Sequence, residues 1–244
     1  MPRATRRSRL SPWGRVVSAS AVLVAGCLIA LAAWGFGSQR ERIVSFDVHG
    51  ALQGVLLDLG DANVEVMRGT SADQVAVQRT VRYSFDRIPS TTRSVDAGVL
   101  HVRSRCPVTV LHACSTTYRV VVPDNVPVDV RTTSGAVRLS DYHGSARVAT
   151  NSGDVDVRSF CGFSLQVRAE TGDVGVGSSC APERLSLRST RGFVHATVPP
   201  GRYQVDAESA SGVQQVRGIT QATDAPFSIQ ALSTSGDVLV EGRA

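Results

Sequence analysis

The chain has 244 residues, 42% of them hydrophobic and 19% charged, and its formal net charge is +5. All 26 basic residues are arginine, which excludes the lysine of a phosphate-binding loop and any Schiff-base chemistry. Arg3, Arg6, Arg7, Arg9 and Arg15 fall in an acid-free stretch at the start, and the other 21 arginines are balanced by 21 Asp and Glu. The excess positive charge belongs to this tail, so no nucleic-acid groove is implied.

Residues 1–15 read as a basic cytoplasmic tail, followed by an uncharged, mostly apolar stretch over 16–39. About 20 residues of helix suffice to cross a hydrocarbon core, so this stretch predicts a transmembrane anchor. The arginines before it place the N-terminus in the cytoplasm and the remainder outside, as a single-pass protein of the plasma membrane. Two other readings keep the same compartment. Ala30-Leu31-Ala32 offers a signal-cleavage site, and Val24-Ala25-Gly26-Cys27 resembles a lipobox, although the ten residues after Cys27 stay apolar. Arg6-Arg7 is followed by Arg9 rather than an apolar residue, which argues against a twin-arginine signal.

Residues 40–130 predict an irregular, β-rich N-terminal cap. Short strands are expected at Ile43 to Val48, Val55 to Leu59, Val64 to Val66 and Val75 to Tyr83. Leu100 to Val102, Val108 to Val110 and Tyr118 to Val122 add more, and Leu59 to Val66 reads as a degenerate copy of the glycine repeat in 131–244.

From 131 to 244 one phrase recurs: Ser134-Gly135-Ala136-Val137, Ser152-Gly153-Asp154-Val155, Thr171-Gly172-Asp173-Val174, Arg191-Gly192-Phe193-Val194, Ser211-Gly212-Val213, Ser235-Gly236-Asp237-Val238. The glycines are spaced 18, 19, 20, 20 and 24 apart. Each opens an alternating run such as Val155 and Val157, and a second run comes after it, such as Leu165, Val167 and Ala169. Period two means strands with one buried face, and two short strands per 20 residues describe one coil of an all-β solenoid, like a parallel β-helix. Glycine permits positive φ at the turn, and the next residue, Asp, can accept hydrogen bonds from turn backbone. Read in sequence order, the coil of Gly236 comes last and lacks a visible cap, so that a neighbouring chain could cover it.

Cys106, Cys114, Cys161 and Cys180 lie beyond the apolar span, an even number that suits an oxidising compartment and allows three pairings. Cys106 and Cys114 are eight apart around Pro107, which suits a hairpin staple. Cys161 and Cys180 each stand eight residues after a repeat glycine, so successive coils stack them about 4.8 Å apart, within disulfide reach. The expected bonds are Cys106–Cys114 and Cys161–Cys180.

The Ser-Gly-Asp-Val phrases, their spacing and the preceding apolar stretch resemble the bacterial putative-adhesin domain family of unknown function, over roughly 43–242. That resemblance implies a membrane-attached β-repeat module exposed at the surface, and brings no catalytic residues.

No chemistry-bearing constellation competes with this reading. His49, His101, His112, His143 and His195 have no second His at ligand spacing, and no Gly-x-Ser-x-Gly elbow occurs. Asp154, Asp173 and Asp237 alternate with Ala136, Phe193 and Val213 at the equivalent position, which breaks a calcium-binding ladder. Expected outward residues are Arg138, Asp156, Gly175, His195 and Gln215, then Ser140, Arg158, Gly177, Thr197 and Arg217, a mixed set without an aromatic platform. The expectation is therefore a non-enzymatic, membrane-anchored, adhesin-like binding module without metal or cofactor, whose partner is an envelope protein or a glycan. The alternatives are an envelope-stress or signalling accessory that partners a membrane protein, and a carbohydrate-active enzyme on a β-helix.

Overall fold

A computed structural model describes residues 20–30, 40–83, 88–107, 114–124 and 126–243. Among the described residues seven strands precede the main repeats: β1 (Arg40–His49), β2 (Gly54–Leu59), β3 (Ala62–Arg68), β4 (Gln74–Tyr83), β5 (Ser90–Asp96), β6 (Val99–Arg105) and β7 (Cys114–Val122). The repeats then supply β8 (Val128–Ser134), β9 (Val137–Ser140), β10 (Ala146–Ser152), β11 (Val155–Phe160), β12 (Ser164–Thr171), β13 (Val174–Ser178), β14 (Arg184–Arg191) and β15 (Val194–Val198). The C-terminal part adds β16 (Arg202–Ser209), β17 (Gln214–Arg217), β18 (Thr220–Gln221), β19 (Phe227–Ser235) and β20 (Val238–Gly242).

These strands form two ten-stranded sheets. The first runs β1-β4-β7-β3-β9-β11-β13-β15-β20-β17, the second β18-β16-β19-β14-β12-β10-β8-β2-β6-β5. Each coil gives one strand to each sheet, and the coils pair in parallel, Val155 beside Val137 and Val174, and Leu165 beside Ala146 and Leu185. Alternate residues turn inward and merge into one apolar core from Val55 to Val240. Period-two patterning leaves the outer face of each sheet polar.

The repeat glycines sit at the corner where a strand of the second sheet turns into one of the first. A Cβ on Gly153 would fall on the carbonyl oxygen of Gly135, and one on Gly172 on that of Gly153, closer than the 3.0 Å that real Cβ atoms keep. The same holds from Gly192 to Gly172, Gly236 to Gly192 and Gly212 to Gly236. Close approach of stacked backbones is the stronger constraint here; positive φ accompanies it at five of the six glycines, Gly212 excepted. The corner is also a hydrogen-bond zipper between coils. Gly153 N–H donates to the Thr171 carbonyl, and Val155 N–H to that of Asp173. Asp154 Oδ1 accepts from the Asp173 N–H at 2.9 Å, Asp173 Oδ1 from Phe193 at 2.7 Å and Asp237 Oδ1 from Val213 at 2.8 Å. Each of these carboxylates thus serves the turn of the neighbouring coil rather than its own.

Spatial order departs from sequence order at both ends. β19 and β20 lie between β14/β15 and β16/β17, so the Gly236 coil is interior and stacks directly on that of Gly192. This corrects the expectation of an uncapped last coil, because the coil of β16 and β17 covers it. Capping works because β17 is a short strand with polar, exposed Gln214 and Gln215. At the other end β2 and β3 pair in parallel with β8 and β9 on one side and with β6 and β7 on the other. The parallel stack therefore reaches well back into 40–130. Ala62 there holds the place of the repeat glycine, with its carbonyl facing Gly135, and Asn63 Oδ1 accepts from Ala136 N–H at 2.9 Å. Antiparallel β4, β1 and β5 finish this end, where the Arg93 guanidinium lies 4.8 Å from the centre of the Phe46 ring. β5 escaped the apolar pattern because all seven of its residues are exposed.

Cys106 bonds Cys114 with Cα atoms 5.9 Å apart, and Cys161 bonds Cys180 at 5.0 Å. The second bond joins stacked coils. The first is not a hairpin staple, since it ties the end of β6 to the start of β7, which belong to different sheets. The strand expected at Val108 to Val110 lies outside the described residues.

A separate helix covers residues 20–30 with every side chain exposed, among them Val22, Leu23 and Ile29. Among the described residues no helix is long and apolar enough to cross a membrane, and the flanks of the expected 16–39 span lie outside them.

The stacking at the corner can be tested by adding single methyl groups. Gly153→Ala should cost more than about 3 kcal/mol in denaturant unfolding, because backbone must move. Gly175→Ala, whose Cβ would meet open space, should be neutral or stabilising by up to about 1 kcal/mol. Deleting residues 222–244 empties an interior slot, so amide protection at Val205 and Ala207 should collapse along with the deleted coil.

Candidate functional site

Three surfaces carry groups capable of chemistry: the disulfide corner, the outer face of the first sheet and that of the second. At the corner, His143 stands with Cys161 and Cys180, as the shared repeat position predicts, and its Nδ1 lies 3.6 Å from Asp124 Oδ1. The disulfide occupies both sulfurs, so this corner is structural. The hydroxyl of buried Tyr142 donates to the Val126 carbonyl beside it, and burial pushes its phenol well above the usual range.

On the first sheet the expected outward residues are in place, with one change. Leu239 stands between His195 and Gln215, and Glu241 between Thr197 and Arg217, because β20 separates β15 from β17. This insertion brings Glu241 to His195 at 3.0 Å and to Arg217 at 2.7 Å. Hydrogen bonds from Arg217 first and His195 second hold the Glu241 carboxyl below its usual range. Thr197 Oγ1 also lies 3.3 Å from His195 Nε2, which completes a hydroxyl, an imidazole and a carboxylate. Both contacts use the same ring nitrogen, however. A base that takes a hydroxyl proton needs one nitrogen for that proton and the other for the orienting carboxylate, so this trio is a surface ion-pair network. Among the described residues no three His, Cys, Asp or Glu gather as metal ligands, and Asp154, Asp173 and Asp237 are occupied by the turns.

The second sheet carries a groove of about 750 Å³ along the starts of its strands, from Val99 in β6 to Gln204 in β16. It crosses eight coils, roughly 34 Å at the usual strand spacing. Small residues such as Gly54, Ser145, Ser164 and Ser228 line it, while Arg147, Gln166, Ser186 and Gln230 form its polar side. Arg147 donates to Gln166 at 2.9 Å, and Gln230 donates to Asp206 at 3.0 Å. These residues escaped the sequence reading, which followed the apolar members of each alternating run. The signal was the polar residue between them: Arg147 between Ala146 and Val148, and Gln166 between Leu165 and Val167.

The chain is similar to known proteins. Residues 125–241 match the model of the Toastrack DUF4097 family. This stretch is similar to a Toastrack domain. Two solved structures are similar to the chain. A putative cell adhesion protein from Clostridium sporogenes is 11% identical with a TM-score of 0.46, covering 84% of this chain and 100% of its own. A putative adhesin from Bacteroides fragilis is 13% identical with a TM-score of 0.45, covering 83% of this chain and 97% of its own. No curated protein matches the chain. The Toastrack match takes in β8 to β20 apart from the last residue of β20 and so includes most of the groove's length.

At the N-terminal end of the same face, Asp58 is held by Arg105 at 2.7 Å and Arg103 at 3.1 Å. Burial pushes this carboxyl up, but the hydrogen bonds and charges of Arg105 and Arg103 together outweigh it and hold the group below the usual range. A lowered folded-state pKa stabilises above the unfolded value of about 3.9 and loses that stabilisation as pH falls through the folded one. Asp58→Asn should therefore melt below the parent at pH 6, and the gap should close as pH falls below about 4, measured by thermal unfolding.

Proposed function

We propose that the protein is a membrane-anchored, extracytoplasmic binding module without catalysis, whose Toastrack-like domain presents the groove of the second sheet to an envelope component. The observation that carries this reading is the groove itself, a long and largely apolar trough with a polar side, on a scaffold of parallel coils. A concave surface with a few placed polar groups is what ligand sites have in common. The helix over 20–30 supports anchoring, because its apolar side chains face no protein surface and a hydrocarbon environment would accommodate them. The arginines ahead of it support a cytoplasmic N-terminus, and two disulfides suit an oxidising compartment. The single-nitrogen arrangement at His195 supports the non-catalytic reading.

A photo-crosslinking side chain at Gln230, in the full chain within its own cell envelope, should capture a defined component, while one at Arg138 on the first sheet should not. Equal capture from both positions, or none from Gln230, would count against the groove.

A further inference from the structure

The second sheet's outer face carries charge that the fold does not need. One outward row runs Arg103, Asp58, Arg131, Ala149, Arg168, Arg188, Leu232 and Glu208 across eight coils. Its N-terminal arginines are satisfied: Arg103 by Asp58, and Arg131 by Asp129 at 3.0 Å. Arg168 and Arg188 are different. They lie in register on adjacent strands, both exposed, and neither has a hydrogen-bond or ion-pair partner among the described residues. Like charges side by side in a sheet oppose folding, so their benefit lies outside the chain.

Ala149 interrupts the row. Its small side chain leaves a recess of about 370 Å³ walled by Arg131, Arg147, Arg168 and Gln166. Arg147 and Gln166 also line the long groove, so recess and groove adjoin. Arg168 stands unpaired at this opening, while Arg131 and Arg147 hold Asp129 and Gln166, and a guanidinium can grip a carboxylate or sulfate through paired N–H donors. The groove asks for a different chemistry. Gln166, Ser186 and Gln230 offer amide and hydroxyl groups at successive coils, which suits a hydroxyl-rich chain lying along the axis. No aromatic ring lines it to stack a base, so single-stranded nucleic acid fits poorly.

Resting on the binding-module reading above, we propose that this face binds a linear acidic polysaccharide, its backbone in the groove and one of its acidic groups in the arginine recess over Ala149. Arg168 and Arg188 then meet the next acidic group along the chain.

The test uses the full chain in detergent with a fluorescent galacturonate oligomer, a neutral dextran oligomer and single-stranded DNA as probes. Galacturonate should bind, weaken as salt rises, and weaken at least 10-fold in the double variant Arg168→Ala with Arg188→Ala, dextran and DNA binding less tightly. Ala149→Phe keeps every charge but fills the recess, and should lose binding to a similar degree. Arg138→Ala, on the other sheet, should bind as the parent does. Unchanged melting temperatures identify these losses as local. DNA binding as tight as galacturonate, no galacturonate binding, or no loss in either variant would overturn the glycan site. If crosslinking at Gln230 still captures an envelope component then, the binding module stands and only its ligand is wrong; if capture fails as well, both fall.

Discussion

Everything in this molecule depends on how closely one coil can approach the next at a single corner. Parallel strands must stack at about 4.8 Å to share their hydrogen bonds, and the turn joining the two sheets must keep the same step. At that corner each glycine lies over the carbonyl of the glycine below, or of Ala62 in the case of Gly135, leaving no room for a Cβ. Serine hydroxyls strengthen the same column: Ser189 donates to Gly172 and Ser233 to Gly192, both at 2.9 Å. With the corner fixed, the alternating valines and leucines on either side fall into register without further instruction. The core follows from the corner.

The two ends show a second constraint, the need to hide sheet edges. A stack of parallel coils in strict sequence order leaves its final strands open to pairing with other chains. Here the coil of β16 and β17 is laid down one step away from its predecessor, and the C-terminal strands β19 and β20 enter the gap. The exposed edge is thereby given to short strands with polar residues, while the better apolar repeat becomes interior. A similar exchange at the other end places β2 and β3 inside β6 and β7. The cost is kinetic: the slot stays empty until the last residues arrive, and contacts that distant in sequence form slowly.

Between these constraints the outward positions are left free, and their charges differ between the sheets. On the first sheet they mostly cancel in neighbouring pairs, Arg119 with Glu65 and Arg217 with Glu241. On the second the arginines outnumber their local acids where the surface is recessed. Exposed ion pairs add little stability, so neither pattern is explained by folding alone. The uncompensated pattern is the one on which the proposed glycan site rests.

Much of this was legible in the residues. A glycine every 18 to 20 positions with alternating valines after it specifies stacked coils, because only a parallel stack repeats backbone geometry at that interval. Cys161 and Cys180 at one repeat position specify their bond for the same reason. The tertiary structure alone decided which coil lies beside which. Gly192, Gly212 and Gly236 carry nearly the same local signal, and choosing their order requires knowing which strand is too polar to be interior. That choice also decided what meets on the outside, since Glu241 reaches His195 only because β20 lies between β15 and β17. The recess over Ala149 arises in the same way: a small residue among arginines becomes a pocket only when strands 18 to 20 residues apart lie side by side. Local pattern sets the period of this chain, and the surface it offers to a partner is set by contacts between residues far apart in sequence.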